Sequence, residues 1–220
     1  MNPIRLNLKT IVSLPYAENT YVASLDGRDD CIVVDPGLEP DKILQTLDAD
    51  GLVPAAILCT HGHPDHVGGN AALKARWPEC PLVFGKGAAA FMQRAAAIMG
   101  SMLGDAAQSP PPDLELGDGE TYSAAGFELE VRETPGHCPD HVVFIWSAGK
   151  HPYVFGGDVI FRGSIGRTDF PGCSFEQLND SIQNKLFTLP DDALVLPGHG
   201  PPTTIGEERR SNPFVGALAE

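Results

Sequence analysis

Short apolar runs, separated by glycine, proline and charged residues, predict a chain of many short strands interleaved with a few helices. Period-two and fully apolar runs such as CIVVD and AAILCT predict strands at 19–25, 31–35, 55–60, 82–85, 127–133, 142–146, 153–155 and 193–196. Helical spacing of apolar residues predicts helices at 39–49, 67–77, 88–102 and 174–189. Ser174 is a good N-cap for the last helix, and Pro190 follows its end.

The order of these elements predicts an α/β sandwich in one domain that covers residues 1–220. The predicted helices are too few to surround the eight strands of a TIM barrel. The segment 100–113, GSMLGDAAQSPPPD, contains three prolines and is interpreted as a stiff extended loop inside the domain. A length of 220 residues with 42% hydrophobic residues is enough for a sizeable core.

Composition and charge exclude several classes of partner. No apolar run approaches the ~18 residues that span a bilayer, and the N-terminal stretch lacks a signal-peptide pattern, so a cytoplasmic protein with no membrane partner is expected. The 15 basic and 29 acidic residues give a net charge of −14 without a Lys/Arg cluster, which argues against nucleic-acid binding. The five cysteines contain no CxxC pair, which is typical of a reducing compartment.

The candidate chemistry lies where predicted strands end. AAILCT leads into THGHPDHVGG, which places His61, His63, Asp65 and His66 in one loop. The other strand ends lead to His137 in TPGH, Asp158 in GGD and His199 in PGH. Seven imidazole and carboxylate side chains at four strand ends predict a metal centre, because a purely structural role for all of them is improbable.

The spacing H-x-H-x-D-H can supply two metal ions from one loop. His61 and His63 are two residues apart, so in an extended chain their imidazoles point to the same side and reach one ion. Pro64 favours the first turn of a helix, on which Asp65 and His66 diverge toward a second ion. His137 and His199 are the imidazoles left to complete the two sets, and the spacing does not say which imidazole belongs to which ion.

Asp158 is the natural carboxylate bridge between two such ions. Ions about 3.5–4 Å apart can share a hydroxide whose pKa is lowered toward neutrality, which provides a nucleophile without serine or cysteine. Zn, Fe and Mn all accept this ligand set, and Zn is the expected metal. His141, four residues after His137, is expected to support a ligand rather than to bind metal, and His151 is expected to be exposed.

Four motifs resemble those of the metallo-β-lactamase superfamily, and within it the glyoxalase II-like (hydroxyacylglutathione hydrolase-like) group. They are THGHPDHVGG, TPGHCPDHVVF, GGDVIFRGSIGRTDFPG and PGHGPPTTIGEERRSNPF, and VVDPG with Asp35 resembles the first motif of the superfamily. The resemblance implies an αβ/βα four-layer sandwich of two similar halves. It also implies a first metal on His61, His63 and His137, a second on Asp65, His66 and His199, and Asp158 between them. It is closest to short bacterial forms that lack the helical C-terminal domain.

The resemblance implies hydrolysis of a thioester, most simply a hydroxyacyl-glutathione such as S-D-lactoylglutathione, by a metal-bridging hydroxide. Asp65 and Asp158 are the candidate catalytic carboxylates. Arg162 and Arg167 are candidates for binding substrate carboxylates, although Arg167 could instead pair with Asp169.

Three other functions are weaker. A persulfide dioxygenase with one iron also resembles THxHxDH and GRTDF, but Ile165 departs from its GCGRTDF loop. β-Lactam hydrolysis is disfavoured, because β-lactam-hydrolysing members generally lack a carboxylate at the position of Asp158. A non-catalytic metal or thiol carrier would not need all seven ligands.

Overall fold

The computed structural model describes residues 4–93, 109–217 and 219, and two six-stranded sheets form its centre. The first sheet contains β1 to β6 in sequence order, and the second has the order β14-β13-β10-β9-β8-β7. The strands of the first sheet are Leu6–Ser13, Glu18–Leu25, Asp30–Val34, Val53–Leu58, Leu82–Gly85 and Leu114–Leu116. Strands β7 to β14 are Thr121–Ala124, Phe127–Glu133, Val142–Trp146, Tyr153–Gly157, Ile160–Phe161, Ser164–Ile165, Leu194–Pro197 and Thr203–Thr204, of which β11 and β12 form a separate hairpin.

Helices cover the outer face of each sheet. They are α1 (Pro40–Asp50), α2 (Pro64–Val67), α3 (Asn70–Arg76), α4 (Phe175–Ser181) and α5 (Ile205–Ser211), and α4 continues into a π-helical turn over Ile182–Leu186. One apolar cluster, which includes Leu58, Phe127 and Phe144, fills the space between the two sheets. A second packs the first sheet against α1 and α3, and a third packs the second sheet against α4 and the turn that follows it. These layers confirm the αβ/βα four-layer sandwich.

Most predicted elements are present, and the differences have local causes. All eight predicted strands are found, and the Oγ of Ser174 accepts a hydrogen bond from the backbone N–H of Gln177, as an N-cap does. The helical turn expected at Pro64 is present as α2, but the helix predicted at 67–77 is wrong in its start, because α3 begins only at Asn70, after Gly68 and Gly69. Of the helix predicted at 88–102, residues 88–93 are helical and the remainder lies outside the described residues.

The strands that sequence patterns missed lie mainly at the edges of the sheets. β1 exposes alternate residues such as Val12, and β14 has only two residues. Edge strands have one unpaired side and little core to fill, so their hydrophobic signal is weak. The chain shows no helix, among the residues described, that is long and apolar enough to cross a membrane.

Candidate metal centre

Loops at the ends of β4, β8, β10 and β13 bring all seven predicted ligands together. β4 ends at Leu58 and leads to the His61 loop, and β10 ends at Gly157, directly before Asp158. β13 ends at Pro197, two residues before His199. The candidate ligand atoms form three sets, and within each set the atoms lie within 4.8 Å of one another. His61, His63 and His137 are called the first group, and Asp65, His66 and His199 are called the second group. The remaining set, His61, His66 and Asp158, joins the two groups.

Three imidazoles form the first group. His61 Nε2 lies 2.9 Å from His63 Nδ1, and His137 Nε2 lies 2.9 Å from the same His63 atom. All three side chains are buried. His63 immediately precedes α2 in an extended conformation, with φ −70° and ψ 144°, and so still belongs to the extended segment that carries His61. The i, i+2 prediction for His61 and His63 is therefore consistent with the geometry.

The second group contains Asp65, His66 and His199, and Asp158 lies between the two groups. His199 Nε2 is 3.5 Å from Asp65 Oδ2 and 3.5 Å from Asp158 Oδ2. The same Asp158 oxygen is 3.5 Å from His137 Nε2, which belongs to the first group. The other oxygen, Asp158 Oδ1, is 3.4 Å from His66 Nε2. One carboxylate thus faces imidazoles of both groups.

Hydrogen bonds behind the centre fix which nitrogen of each imidazole points inward. The Asp35 carboxylate accepts hydrogen bonds from the backbone N–H and the hydroxyl of Thr60, both at 2.7 Å, and from His66 Nδ1 at 3.0 Å. Because the Thr60 hydroxyl donates to Asp35, it accepts from His61 Nδ1, at 3.0 Å. His61 and His66 therefore use Nδ1 for these hydrogen bonds and direct Nε2 toward the centre, as metal-ligating histidines do.

Backbone carbonyls orient two more imidazoles in the same way. His137 Nδ1 donates to the carbonyl oxygen of Arg167 at 2.9 Å, and His199 Nδ1 donates to that of Tyr16 at 3.1 Å. Asp35 itself has a left-handed backbone, with φ 49°, which is a strained conformation for a residue other than glycine. Strain of this kind persists only where surrounding contacts enforce it, and here they hold the acceptor of the His66 hydrogen bond.

Burial and neighbouring charges shift the pKa values of the imidazoles in opposite directions in the two groups: those of His61 and His63 are lowered and that of His199 is raised. Burial, with the nearby imidazole of His137, lowers the pKa of His63 to about 3, and burial also lowers that of His61 well below its usual value. Burial would lower the pKa of His199 too, but hydrogen bonds to Asp158 and Asp65 raise it to about 10. For Asp158, burial opposes ionisation, yet His66 and His199 hold its pKa well below the usual range.

The donor set fits divalent metal. Donor atoms bound tetrahedrally at 2.0–2.1 Å lie about 3.3–3.4 Å apart. The imidazole nitrogens that face Asp158 lie 3.4–3.5 Å from its oxygens, whereas His61 and His137 lie closer to His63, at 2.9 Å. His66 Nε2 and Asp158 Oδ1 are buried and make no hydrogen bond to any described residue, a costly arrangement that a cation between them would relieve. Neutral imidazole is the metal-binding form. The lowered pKa values of His61 and His63 keep these two imidazoles neutral at physiological pH.

Comparison with known proteins gives the same answer as the geometry. The family model of the metallo-beta-lactamase superfamily matches residues 14–199. The chain belongs to the metallo-β-lactamase superfamily. The matched region contains all seven residues of the candidate centre, so the superfamily assignment and the strand-end cluster concern the same part of the molecule.

Three similar proteins are matched over nearly their whole length. Hydroxyacylglutathione hydrolase GloC of Haemophilus influenzae is 34% identical over 218 residues, which cover 96% of this chain and 98% of GloC. The crystal structure of BLEG-1 B3 metallo-beta-lactamase is 32% identical with a TM-score of 0.86, covering 95% of this chain and 99% of that one. The crystal structure of TTHA1623 in a di-iron-bound form is 35% identical with a TM-score of 0.81, covering 94% and 99%.

Asp140 and His141 support the centre from the loop that carries His137. The backbone N–H of Gly62, between His61 and His63, donates to Asp140 Oδ2 at 3.0 Å. His141 Nε2 accepts from the backbone N–H of Asp158 at 3.0 Å, and its Nδ1 lies 2.8 Å from Thr134 Oγ1. His141 is thus placed behind the ligands, as predicted.

Asp140 was missed by sequence reasoning. The signal available was its place three residues after His137 in HCPDH. Its contact with Gly62, 78 residues away, could not be read from spacing.

Replacing Asp140 by Ala is expected to weaken metal binding by about 10- to 100-fold, the usual cost of losing a group that orients ligands. The carboxylate holds the peptide between His61 and His63, so its loss lets both imidazoles shift. Asp140→Asn keeps an acceptor oxygen and should restore part of the affinity, measured by competition with a chromophoric chelator. Unchanged affinity in Asp140→Ala, with a lower melting temperature of the metal-free protein, would show that Asp140 only stabilises the fold.

The two candidate substrate-binding arginines differ in their surroundings. Arg167 forms a bidentate ion pair with the exposed Asp169, with Nε to Oδ1 at 2.7 Å and Nη2 to Oδ2 at 2.8 Å. The pairing with Asp169 that the sequence favoured is therefore present. Arg162 is exposed in the turn between β11 and β12, and no hydrogen bond or ion pair of its side chain is found among the described residues.

Proposed function

We propose that this chain is a thioester hydrolase with two metal positions, and that its substrate is a hydroxyacyl-glutathione of the S-D-lactoylglutathione type. The observation that carries the proposal is the position of Asp158. Its carboxylate faces His137 of the first group and His66 and His199 of the second at 3.4–3.5 Å. A carboxylate shared in this way is what two adjacent ions require.

In this proposal the first metal is held by His61, His63 and His137, and the second by Asp65, His66 and His199. Bound metal would supply a water of lowered pKa and polarise the carbonyl oxygen under attack. Zn, Fe and Mn all suit the donors. That GloC is called a hydroxyacylglutathione hydrolase and that TTHA1623 was solved with two irons support the substrate and the two positions.

The residues of the chain prepare the reaction in three ways. Asp35, Thr60 and two backbone carbonyls hold the imidazoles so that the ligand nitrogens already converge before metal arrives. The side chains of His199 and Asp65 are 25% and 17% exposed, more than the other ligands, so substrate is expected to enter on their side. The leaving thiolate has a pKa near 8.5 in an ordinary thiol, so no general acid is needed for its departure.

The sequence named Arg162 and Arg167 as candidates for binding the carboxylates of glutathione, and this role is assigned to Arg162 as a proposal. The loop 100–113 is a further candidate for this role, but residues 100–108 lie outside the described residues. In the described part of that loop, Ser109 Oγ accepts from Asn70 Nδ2 at 2.8 Å, and Asp113 pairs with Lys74 at 2.8 Å. Arg162 is the stronger candidate for a substrate carboxylate, because Arg167 already has one in Asp169.

Two alternative reactions make different use of the centre. A persulfide dioxygenase with one iron on two histidines and an aspartate would leave the other four of the seven clustered ligands without a role. β-Lactam hydrolysis is suggested by the similarity to BLEG-1, whose name describes a B3 metallo-beta-lactamase. The carboxylate of Asp158 remains the argument against it, and a chromogenic cephalosporin provides the assay.

The test is to measure thiol release from S-D-lactoylglutathione by the metal-loaded protein, beside oxygen uptake on glutathione persulfide and cleavage of a chromogenic cephalosporin. The proposal predicts thiol release at a kcat/KM in the range of ordinary enzymes, about 10⁴ M⁻¹s⁻¹ or more, with the other two reactions at least 100-fold slower. Oxygen uptake as the dominant reaction would assign the dioxygenase instead. A dominant cephalosporinase activity would show that Asp158 does not exclude β-lactams.

A further inference from the structure

Two phenylalanine rings lie against His63, one of the imidazoles of the first group. The ring centroid of Phe91 is 5.2 Å from that of His63, and the Phe170 centroid is 6.4 Å away, both with edge-on geometry. Phe170 is 40% exposed although it is a large apolar side chain. An exposed aromatic surface beside a reactive centre is typical of a substrate contact. We refer to Phe91 and Phe170 as the aromatic pair.

Arg167 holds Phe170 in place. Its guanidinium carbon lies 3.8 Å from the centroid of the Phe170 ring, and its Nε and Nη2 both donate to Asp169. Cation–π stacking and a bidentate ion pair together restrict the rotation of Arg167 and of the ring beneath it. The backbone carbonyl of the same Arg167 orients His137. Arg167 therefore contacts both His137, through its backbone carbonyl, and the exposed Phe170 ring, through its guanidinium.

An arginine without a hydrogen bond or ion pair among the described residues, Arg162, belongs instead to the hairpin whose Phe161 ring approaches the second group. Arg162 follows Phe161, whose ring centroid is 6.0 Å from that of His199. A glutathione thioester has an acyl group on one side of the reacting carbon and a carrier with carboxylates on the other. Carboxylates favour the end with the unpaired arginine, so the acyl group is left for the end formed by the aromatic pair.

We propose that the aromatic pair, with Phe170 braced by Arg167, binds the acyl group and selects thioesters whose acyl part is apolar, aromatic above all. This inference rests on the proposed thioesterase function and names its substrate class more narrowly. Arg167 acts here as a positioning residue for Phe170 and does not bind the carrier's carboxylates. The enzyme should then prefer S-mandeloylglutathione to S-lactoylglutathione, which differ only by phenyl in place of methyl.

The experiment measures kcat/KM for both thioesters, each divided by its rate of hydrolysis by hydroxide to remove the difference in intrinsic reactivity. An aromatic contact contributes about 0.5–1.5 kcal/mol, so the corrected mandeloyl-to-lactoyl ratio is expected to be roughly 2 to 13. Phe170→Ala and Arg167→Ala should both bring the ratio close to 1. Phe214→Ala should leave it unchanged, because Phe214 is also exposed and its ring contacts no histidine among the described residues.

The variant Asp169→Asn shows whether Arg167 positions Phe170 or binds the carboxylates of the thiol carrier. If Arg167 braces Phe170, Asp169→Asn weakens the brace and lowers the ratio, as Arg167→Ala does. If Arg167 binds the carrier, Asp169→Asn frees it and lowers KM for both thioesters equally, while Arg167→Ala raises both, and the inference is overturned. A wild-type ratio near 1 with both thioesters hydrolysed also overturns it. Hydrolysis of neither thioester would remove the proposed function itself.

Discussion

Asp158→Asn is expected to lower turnover by more than about 100-fold while leaving the fold intact. Loss of a group that merely orients a metal ligand costs about 10- to 100-fold, so loss of a shared ligand should cost more. The amide has the volume of the carboxylate but no negative charge, and it would place N–H donors toward His66 or His199. The backbone N–H of Asp158 would still donate to His141, so the loop should keep its position.

The matched control is Asp191→Asn, the same chemical change at an exposed aspartate. Asp191 forms ion pairs with Arg209 and Arg210 on the surface, where such pairs contribute little. Thiol release, metal content and melting temperature should be measured on both variants. Near-normal turnover of metal-replete Asp158→Asn would mean that this carboxylate is not shared between two ions.

Gly198→Ala is expected to disrupt both groups at once, with a loss of about 100-fold or more in turnover. A Cβ added at Gly198 would collide with Asp158 Oδ1 and would lie 2.6 Å from His66 Cε1. Neither neighbour can retreat, because His66 donates to Asp35 and Asp158 is fixed by its backbone hydrogen bond to His141. Displacement of a reacting geometry by about 1 Å can cost about 100-fold in rate.

Gly51→Ala provides the comparison for Gly198→Ala. Gly51 ends α1 with φ 63°, and an added Cβ there meets nothing within 4 Å. Its replacement should cost about 1–2 kcal/mol of stability, from left-handed strain alone, with metal content unchanged. Chelator competition should therefore separate the variants: weaker metal binding in Gly198→Ala only. Equal metal affinity in both would show that the space at Gly198 is not required by the centre.

The sequence was sufficient to predict the buried part of the fold. Strands such as β4 and β9 are continuous apolar runs that lie in the middle of their sheets, where burial imposes the pattern. It was not sufficient for β14, which has two residues and depends on pairing with β13. The helical turn at Pro64 was expected from the proline, whereas the interruption at Gly68 and Gly69 before α3 was not.

The convergence of the seven candidate ligands could be predicted because each follows a strand end, and these strands end on the same side of the two packed sheets. Their supports could not be predicted in the same way. Tyr16, 183 positions before His199, orients this imidazole through its backbone carbonyl. Any residue at position 16 would provide a carbonyl, so the identity of the Tyr16 side chain carries no signal. The stacking of Arg167 on Phe170 was likewise invisible, although its ion pair with Asp169, two residues on, was anticipated.

Metal analysis of the purified protein tests most directly whether two metal positions share Asp158. Elemental analysis of wild type, loaded with Zn, Fe or Mn and freed of loosely bound metal, should give about two ions per chain. Asp158→Asn should bind clearly less under the same conditions, and Asp191→Asn should match wild type. A single iron per chain in active wild type, with the same content in Asp158→Asn, would contradict the claim.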